Sequence, residues 1–109
     1  MSTNLTPLLA AYVDSMNAND STAFVANFAA DAVVHDEGHE HRGTAAIKAW
    51  FENAHRKYQP KMEVTGATES GSDAVIAALV SGTFDGSPVE LRHHLTIIDG
   101  KITNLAITA

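Results

Sequence analysis

The chain has no cysteine among its 109 residues, which removes disulfide frameworks, thiolate nucleophiles and cysteine metal sites in one step. It is also short of positive charge: seven Lys and Arg stand against thirteen Asp and Glu, for a net charge of −6. Phosphate contacts supply most nucleic-acid affinity, so a chain without a basic stripe is not expected to bind nucleic acid. No apolar run reaches the roughly 20 residues of a membrane span. The segment Met1-Ser2-Thr3-Asn4-Leu5-Thr6-Pro7 lacks the basic and apolar parts of a secretion signal, so a cytoplasmic location without a membrane partner is the expectation. No glycine-rich phosphate loop, nucleophile elbow or zincin helix is present. What remains is 45% hydrophobic and 18% charged, the composition of one globular domain over residues 1–109. Such a chain buries about two-thirds of its unfolded surface, enough for a core and one modest pocket.

Helical spacing comes first. Thr6-Pro7 is a helix start, with a hydroxyl at the cap and proline at the first helical position. Leu5, Leu8, Leu9, Tyr12, Val13 and Met16 then recur on one face. Asp20 or Ser21 caps a shorter helix predicted to bury Phe24, Val25 and Phe28. A strand around Val33–Asp36 follows. Gly43-Thr44 opens a third helix with the stripe Ile47, Trp50, Phe51, Ala54 and Tyr58, stopped by Pro60. From Lys61 the pattern turns to strands: Lys61–Glu69, Asp73–Phe84, Val89–Ile98 and Lys101–Thr108. Asp99-Gly100 between two β-branched runs is the clearest hairpin signal. Helices first and consecutive strands afterward predict an α+β domain with the helices on one face of an antiparallel sheet.

Two strands say more. Asp73–Phe84 is apolar or small on both faces, with Val75, Ala77 and Leu79 on one and Ala74, Ile76, Ala78 and Val80 on the other. A sheet with helices on one side should be polar on the other, so a second copy covering that face, as a homodimer, is expected. In Val89–Ile98, Leu91, His93, Leu95 and Ile97 share one face and Glu90, Arg92, His94 and Thr96 the opposite one. His93 therefore sits among core-facing residues.

The densest chemistry lies in Asp31–Gly43, where His35, Asp36, Glu37, His39, Glu40 and His41 are interrupted only by Gly38. Most of this reads as a solvated loop, mobile relative to the sheet. Asp36 closes the strand before Gly38 lets the chain turn. His35 and Asp36 are neighbours on an extended strand, so they leave on opposite faces. His39 and His41 with His35 or Asp36 could form a metal cluster, but His-x-His beside a glycine is an unspecific signal, and no metal and no cofactor are expected. His55 is expected at the surface, and Arg42 in a loop ion pair.

Three segments carry a family resemblance: Tyr12-Val-Asp-Ser-Met-Asn-Ala-Asn-Asp20, Phe28-Ala-Ala-Asp-Ala-Val-Val-His-Asp36 and Arg42-Gly-Thr-Ala-Ala-Ile-Lys-Ala-Trp-Phe51. Together with the element order, they resemble the nuclear-transport-factor-2-like superfamily in its SnoaL-like and ketosteroid isomerase-like branch, from about Leu5 to Ile107. The resemblance implies a conical α+β fold with three N-terminal helices over a strongly curved antiparallel sheet, an apolar pocket, and a dimer through the outer sheet face. The isomerase pattern puts a tyrosine oxyanion donor at Tyr12 and a proton-shuttling aspartate at Asp36. Its second donor, a protonated aspartate, falls on His93, where this chain departs from the pattern.

The residues leave two readings open at each position. Asp36 is a general base at an apolar pocket or a turn aspartate bonded to nearby N–H groups. Tyr12 is an oxyanion donor or a core aromatic, and His93 a pocket donor or a core imidazole. All three are expected to meet in one cavity lined by Phe24, Phe28, Trp50, Phe51, Leu91 and Leu95. The expected function is cofactor-independent isomerisation or cyclisation of a small apolar or polyketide-like carbonyl compound, by proton abstraction next to the carbonyl. A non-catalytic ligand-binding or dimerisation module is the alternative. A dehydratase or epoxide hydrolase is the third, weakened by the lack of a second pocket-facing carboxylate.

Overall fold

Helix α1 (Pro7–Asn17) begins on proline, whose missing N–H is no loss in a first turn. Thr6 precedes it in extended conformation, but its hydroxyl makes no capping bond. Leu9, Tyr12, Val13 and Met16 are its buried apolar stripe. Asn17 pins its end to the sheet, donating to the Met62 carbonyl at 2.9 Å and accepting from the Met62 N–H at 2.8 Å. The computed structural model describes residues 5–109; Met1 to Asn4, part of the N-terminal segment read above, lie outside the described residues.

Asp20 caps α2 (Ser21–Val25) by accepting from the Ala23 N–H at 3.0 Å, which satisfies an orphan donor. Phe24 enters the core from this helix. Phe28 does not belong to it: the helix is five residues long, and Phe28 already opens strand β1 (Phe28–Asp36). Helix α3 (Thr44–Tyr58) ends where Gln59 turns left-handed at φ 48° and Pro60 bars continuation. Its basic last turn suits the negative end of the helix dipole. His55, expected at the surface, is buried instead. It lies one turn beyond Phe51 on the same face, stacks on that ring at 3.9 Å, and meets the carbonyls of Phe51 and Met16 at 3.0 and 2.8 Å.

The remaining strands are β2 (His39–Arg42), β3 (Lys61–Ser70), β4 (Asp73–Ser81), β5 (Val89–Ile98) and β6 (Lys101–Thr108), and the sheet order is β2-β1-β6-β5-β4-β3. From β3 to β6 it is an antiparallel meander, but β1 runs parallel to β6. The sheet is therefore mixed rather than wholly antiparallel, because no hairpin dictates how β1 meets a strand from the far end of the chain. It stays open, with β2 and β3 as its edges. Irregularities at Val64/Gly66 and Thr96/Ile97 bend it around the helices.

The histidine-rich segment is not a free loop. Glu37 and Gly38 both take positive φ, 52° and 75°, the requirement of a two-residue hairpin turn. His39–Arg42 then pairs antiparallel with β1, with His39 opposite Asp36 and His41 opposite Val34. Arg42 pairs with Glu40 at 2.9 Å, the ion pair expected of it. Strand β4 stops at Ser81, short of Phe84. Its helix-facing side, Ala74, Ile76, Ala78 and Val80, is buried, while on the outer side Leu79 is 38% exposed.

The chain turns tightly after β4 because Gly82 rests on the end of α3. A Cβ there would lie 2.4 Å from the Tyr58 carbonyl oxygen, which no side chain tolerates. Thr83 donates its N–H to that same carbonyl at 2.7 Å and its hydroxyl to the Lys57 carbonyl at 3.2 Å. These bonds satisfy carbonyls that a helix end leaves open.

Candidate functional site

Between the second half of α3 and the concave side of the sheet lies a cavity of about 510 Å³, within the range of small-molecule sites. Trp50, Phe51 and Tyr58 face it from α3, Leu91 and His93 from β5, and Asp36 from the end of β1. The β4–β5 connection contributes Phe84, which meets Tyr58 edge-on at 5.9 Å.

Of the residues expected to line this space, Asp36, His93, Trp50, Phe51 and Leu91 do so. Phe24, Phe28, Leu95 and Tyr12 do not: they form the packed core beneath. Phe24 sits 4.4 Å from Phe51, 5.0 Å from Phe28 and 5.3 Å from Tyr12, ring centre to ring centre. That aromatic cluster fills the closed end of the cone, so the opening lies toward the end of α3.

Asp36 stands half-buried on the helix-facing side of the hairpin. The Trp50 indole N–H donates to its Oδ2 at 3.1 Å. Burial raises its pKa above the ordinary carboxylate value, the Trp50 bond opposes this, Glu37 adds to the rise, and His41 and the Glu37 N–H oppose it. His41 reaches this neighbourhood because antiparallel partners share a face: Val34, Asp36, His39 and His41 are on one side, His35 and Glu40 on the other. Its ring lies 5.9 Å from Trp50. His35 sits across the sheet from the cavity, 3.7 Å from Glu40.

Tyr12 and His93 form one unit. The Tyr12 hydroxyl is 2.6 Å from His93 Nδ1 in the buried interior. Burial, and to a lesser extent the Asp36 charge, pushes the Tyr12 pKa well up, so the phenol keeps its proton. Its only side-chain hydrogen-bond partner among the described residues is Nδ1, so the phenol donates there and Nδ1 accepts. A neutral imidazole then carries its proton on Nε2. Burial, with a smaller contribution from His94, lowers the His93 pKa to about 4, which keeps the ring neutral near pH 7. Nε2 is the one buried side-chain N or O among the described residues without a hydrogen-bond partner. Leaving such a donor unmet costs about 1–3 kcal/mol, and His93 is only 3% exposed. Native proteins rarely keep such an atom without a use for it.

The site thus brings a carboxylate of raised basicity and a histidine with a buried, unpaired Nε2 to one largely apolar cavity. Sequence reasoning missed the Trp50 bond and the approach of His41. The first had a signal, since a buried indole N–H seeks an acceptor. The second required recognising Glu37-Gly38 as a two-residue turn, which places His41 on the Asp36 side. Among the described residues, no three His, Asp or Glu side chains come together as a metal site would need.

Several comparisons bear on this geometry. A proposed polyketide cyclase from Sinorhizobium meliloti is 40% identical over 95% of this chain and 95% of its own, with a TM-score of 0.92. A proposed polyketide cyclase from Pseudomonas putida KT2440 is 24% identical, covers 95% of this chain and 90% of its own, and superposes with a TM-score of 0.84. A protein of ketosteroid isomerase-like fold from Catenulispora acidiphila, bound to trimethylamine, is 19% identical, covers 97% and 87%, and has a TM-score of 0.86. These likenesses establish a nuclear-transport-factor-2-like fold. No curated protein sequence matches the chain. The SnoaL-like domain matches residues 9–105, and with that coverage the chain belongs to the SnoaL-like domain family.

Proposed function

We propose that this protein is a cofactor-independent isomerase or cyclase that removes a proton next to the carbonyl of a small, largely apolar substrate. Asp36 takes the proton as general base. The His93 Nε2–H donates a hydrogen bond to the oxygen that becomes an enolate. Tyr12 acts as a positioning residue, setting the imidazole tautomer that makes His93 a donor. Returning the proton to another carbon isomerises the substrate; alternatively, attack of the enolate carbon on a second carbonyl of the same molecule closes a ring, and Asp36 gives its proton to the alkoxide left when that carbonyl π bond breaks. A preorganised donor in a site shielded from water is commonly the largest contributor to such catalysis.

The observation that carries this reading is that His93, whose buried Nε2 has no partner among the described residues, lines the same cavity as Asp36. The polyketide cyclase proposed for the 40% identical Sinorhizobium protein supports the same reaction class. The test uses 2-tetralone in deuterated water, following replacement of its α-protons by NMR. The native protein is expected to speed exchange above the buffer rate. Asp36→Asn should remove about 10²–10⁴-fold of that acceleration while tetralone still binds. Tetralone binding with no acceleration in the native protein would leave a binding module in place of an enzyme.

A further inference from the structure

The charges around the cavity are of one sign. Asp36, Glu37 and Asp85 line it, and among the described residues no lysine or arginine does. Glu37 is exposed in the β1–β2 turn and Asp85 is exposed in the β4–β5 connection, so two separate elements bring carboxylates to the opening. Of the two histidines of the lining, burial keeps His93 neutral, and both ring nitrogens of His55 are turned to backbone carbonyls. Lys57, next to the lining residue Tyr58, is fully exposed with its ammonium 5.0 Å from the Tyr58 ring centre, and it feels Tyr58 more than Glu37. It softens the Glu37 field without entering the wall. The rest of the lining is largely aromatic and aliphatic: Trp50, Phe51, Tyr58, Phe84, Leu91 and Ile107.

We infer that this cavity selects by charge: it accepts uncharged and ammonium-bearing guests and rejects carboxylates and phosphates, with Glu37 and Asp85 as the residues that set this preference. The inference rests on the reading of the cavity as a substrate site and narrows it. The substrate is then a free, uncharged carbonyl compound, or one bearing an amine, and not an acid, a phosphate ester or a phosphate-bearing thioester. An anion placed here would lose its hydration and meet carboxylates from two elements, with no lysine or arginine in the lining to replace the water. An ammonium would find carboxylates and the faces of electron-rich rings. Exposed carboxylates act through a high local dielectric, so the discrimination is on the order of tenfold at low salt and shrinks as salt screens it.

The test compares three bicyclic probes of one skeleton: 2-tetralone, tetralin-2-carboxylate and 2-aminotetralin, the last as its ammonium. The chain has one tryptophan, so the Trp50 indole N–H gives a single NMR resonance inside the cavity to titrate. In 20 mM salt the ketone and the ammonium should bind, and the carboxylate should bind on the order of tenfold more weakly than the ketone. A Glu37→Gln/Asp85→Asn double variant should close that ratio several-fold, as should raising the salt. Equal affinity for ketone and carboxylate, or a ratio unmoved in the double variant, overturns the charge selection and leaves the proton-abstraction reading standing. If none of the three probes shifts the Trp50 resonance, the cavity is not a substrate site and both fall.

Discussion

If His93 is neutral because it is buried, acid must destabilise the fold through it, and His93→Gln must abolish that effect. Glutamine can still accept from the Tyr12 hydroxyl through Oε1 but does not titrate. With a pKa lowered from 6.5 to about 4 in the folded state, the unfolded chain binds a proton that the folded chain refuses throughout that interval. Stability therefore falls as pH drops through 6.5 and stops falling below about 4. This group alone should cost about 2 kcal/mol at pH 5 and about 3 kcal/mol at pH 4, relative to pH 8. Those are large fractions of an ordinary domain stability of roughly 5–15 kcal/mol. Urea unfolding of native protein and variant, in steps from pH 8 to 4, gives the pH dependence of the difference, and contributions common to both proteins cancel. A difference that stays flat over the range, or a His93 ring that titrates near 6.5 by NMR, would refute the buried neutral imidazole and with it the proposed oxyanion donor.

Other outcomes follow from neighbouring contacts. Trp50→Phe removes the indole donor that stabilises the Asp36 carboxylate, so the acid limb of tetralone exchange should move to higher pH; an unmoved limb would show that Asp36 is not the titrating base. Because the Asp36 pKa is raised on folding, its favourable contribution exists below its unfolded pKa and is lost as pH rises through the folded one. Asp36→Asn should accordingly raise the melting temperature by a few degrees at pH 7 and not at pH 3, read by calorimetry. Gly82→Ala forces a methyl onto the Tyr58 carbonyl and should cost about 1–3 kcal/mol in denaturant unfolding; a neutral result would mean that the connection is not seated on α3 as described. The outer face of β4 is proposed to pair with a second copy: light scattering at micromolar concentration should give a dimer, and Leu79→Lys should shift it toward monomer. A monomeric native protein would remove that proposal.

Much of the fold was legible because periodicity is a direct image of burial. The stripe from Ile47 to Tyr58 and the alternation in Val89–Ile98 placed Phe51 and His93 on the inside, and Asp99-Gly100 marked a hairpin that forms. Strand β2 was illegible for the opposite reason. His-Glu-His-Arg has no apolar face to alternate, so no hydrophobic pattern announces its pairing with β1, which turn geometry and backbone bonds set. His55 escaped because a polar residue beside an apolar stripe looks solvated until carbonyls from two helices are seen to meet it. The cavity wall was misplaced for Phe24, Phe28 and Leu95, since inward-facing does not distinguish packed core from pocket lining. Asp36 and His93 were readable as candidates, whereas the Tyr12 bond that sets the His93 tautomer needed three-dimensional contact.

The parallel junction of β1 with β6 has a kinetic consequence. The hairpin that carries Asp36 reaches the rest of the sheet only through β6, with Val34 opposite Leu105. Bringing those segments together closes a loop that includes α3 and the whole meander, so its entropy cost is met only once β3 to β6 have ordered. The meander, built from neighbouring hairpins, can form early, and the Asp36 side of the cavity is then the last wall raised. A chain stalled at that stage would hold a structured sheet and His93 on β5, yet lack the proposed base, so the tetralone exchange proposed above should appear with the slowest refolding phase rather than with the recovery of strand signal.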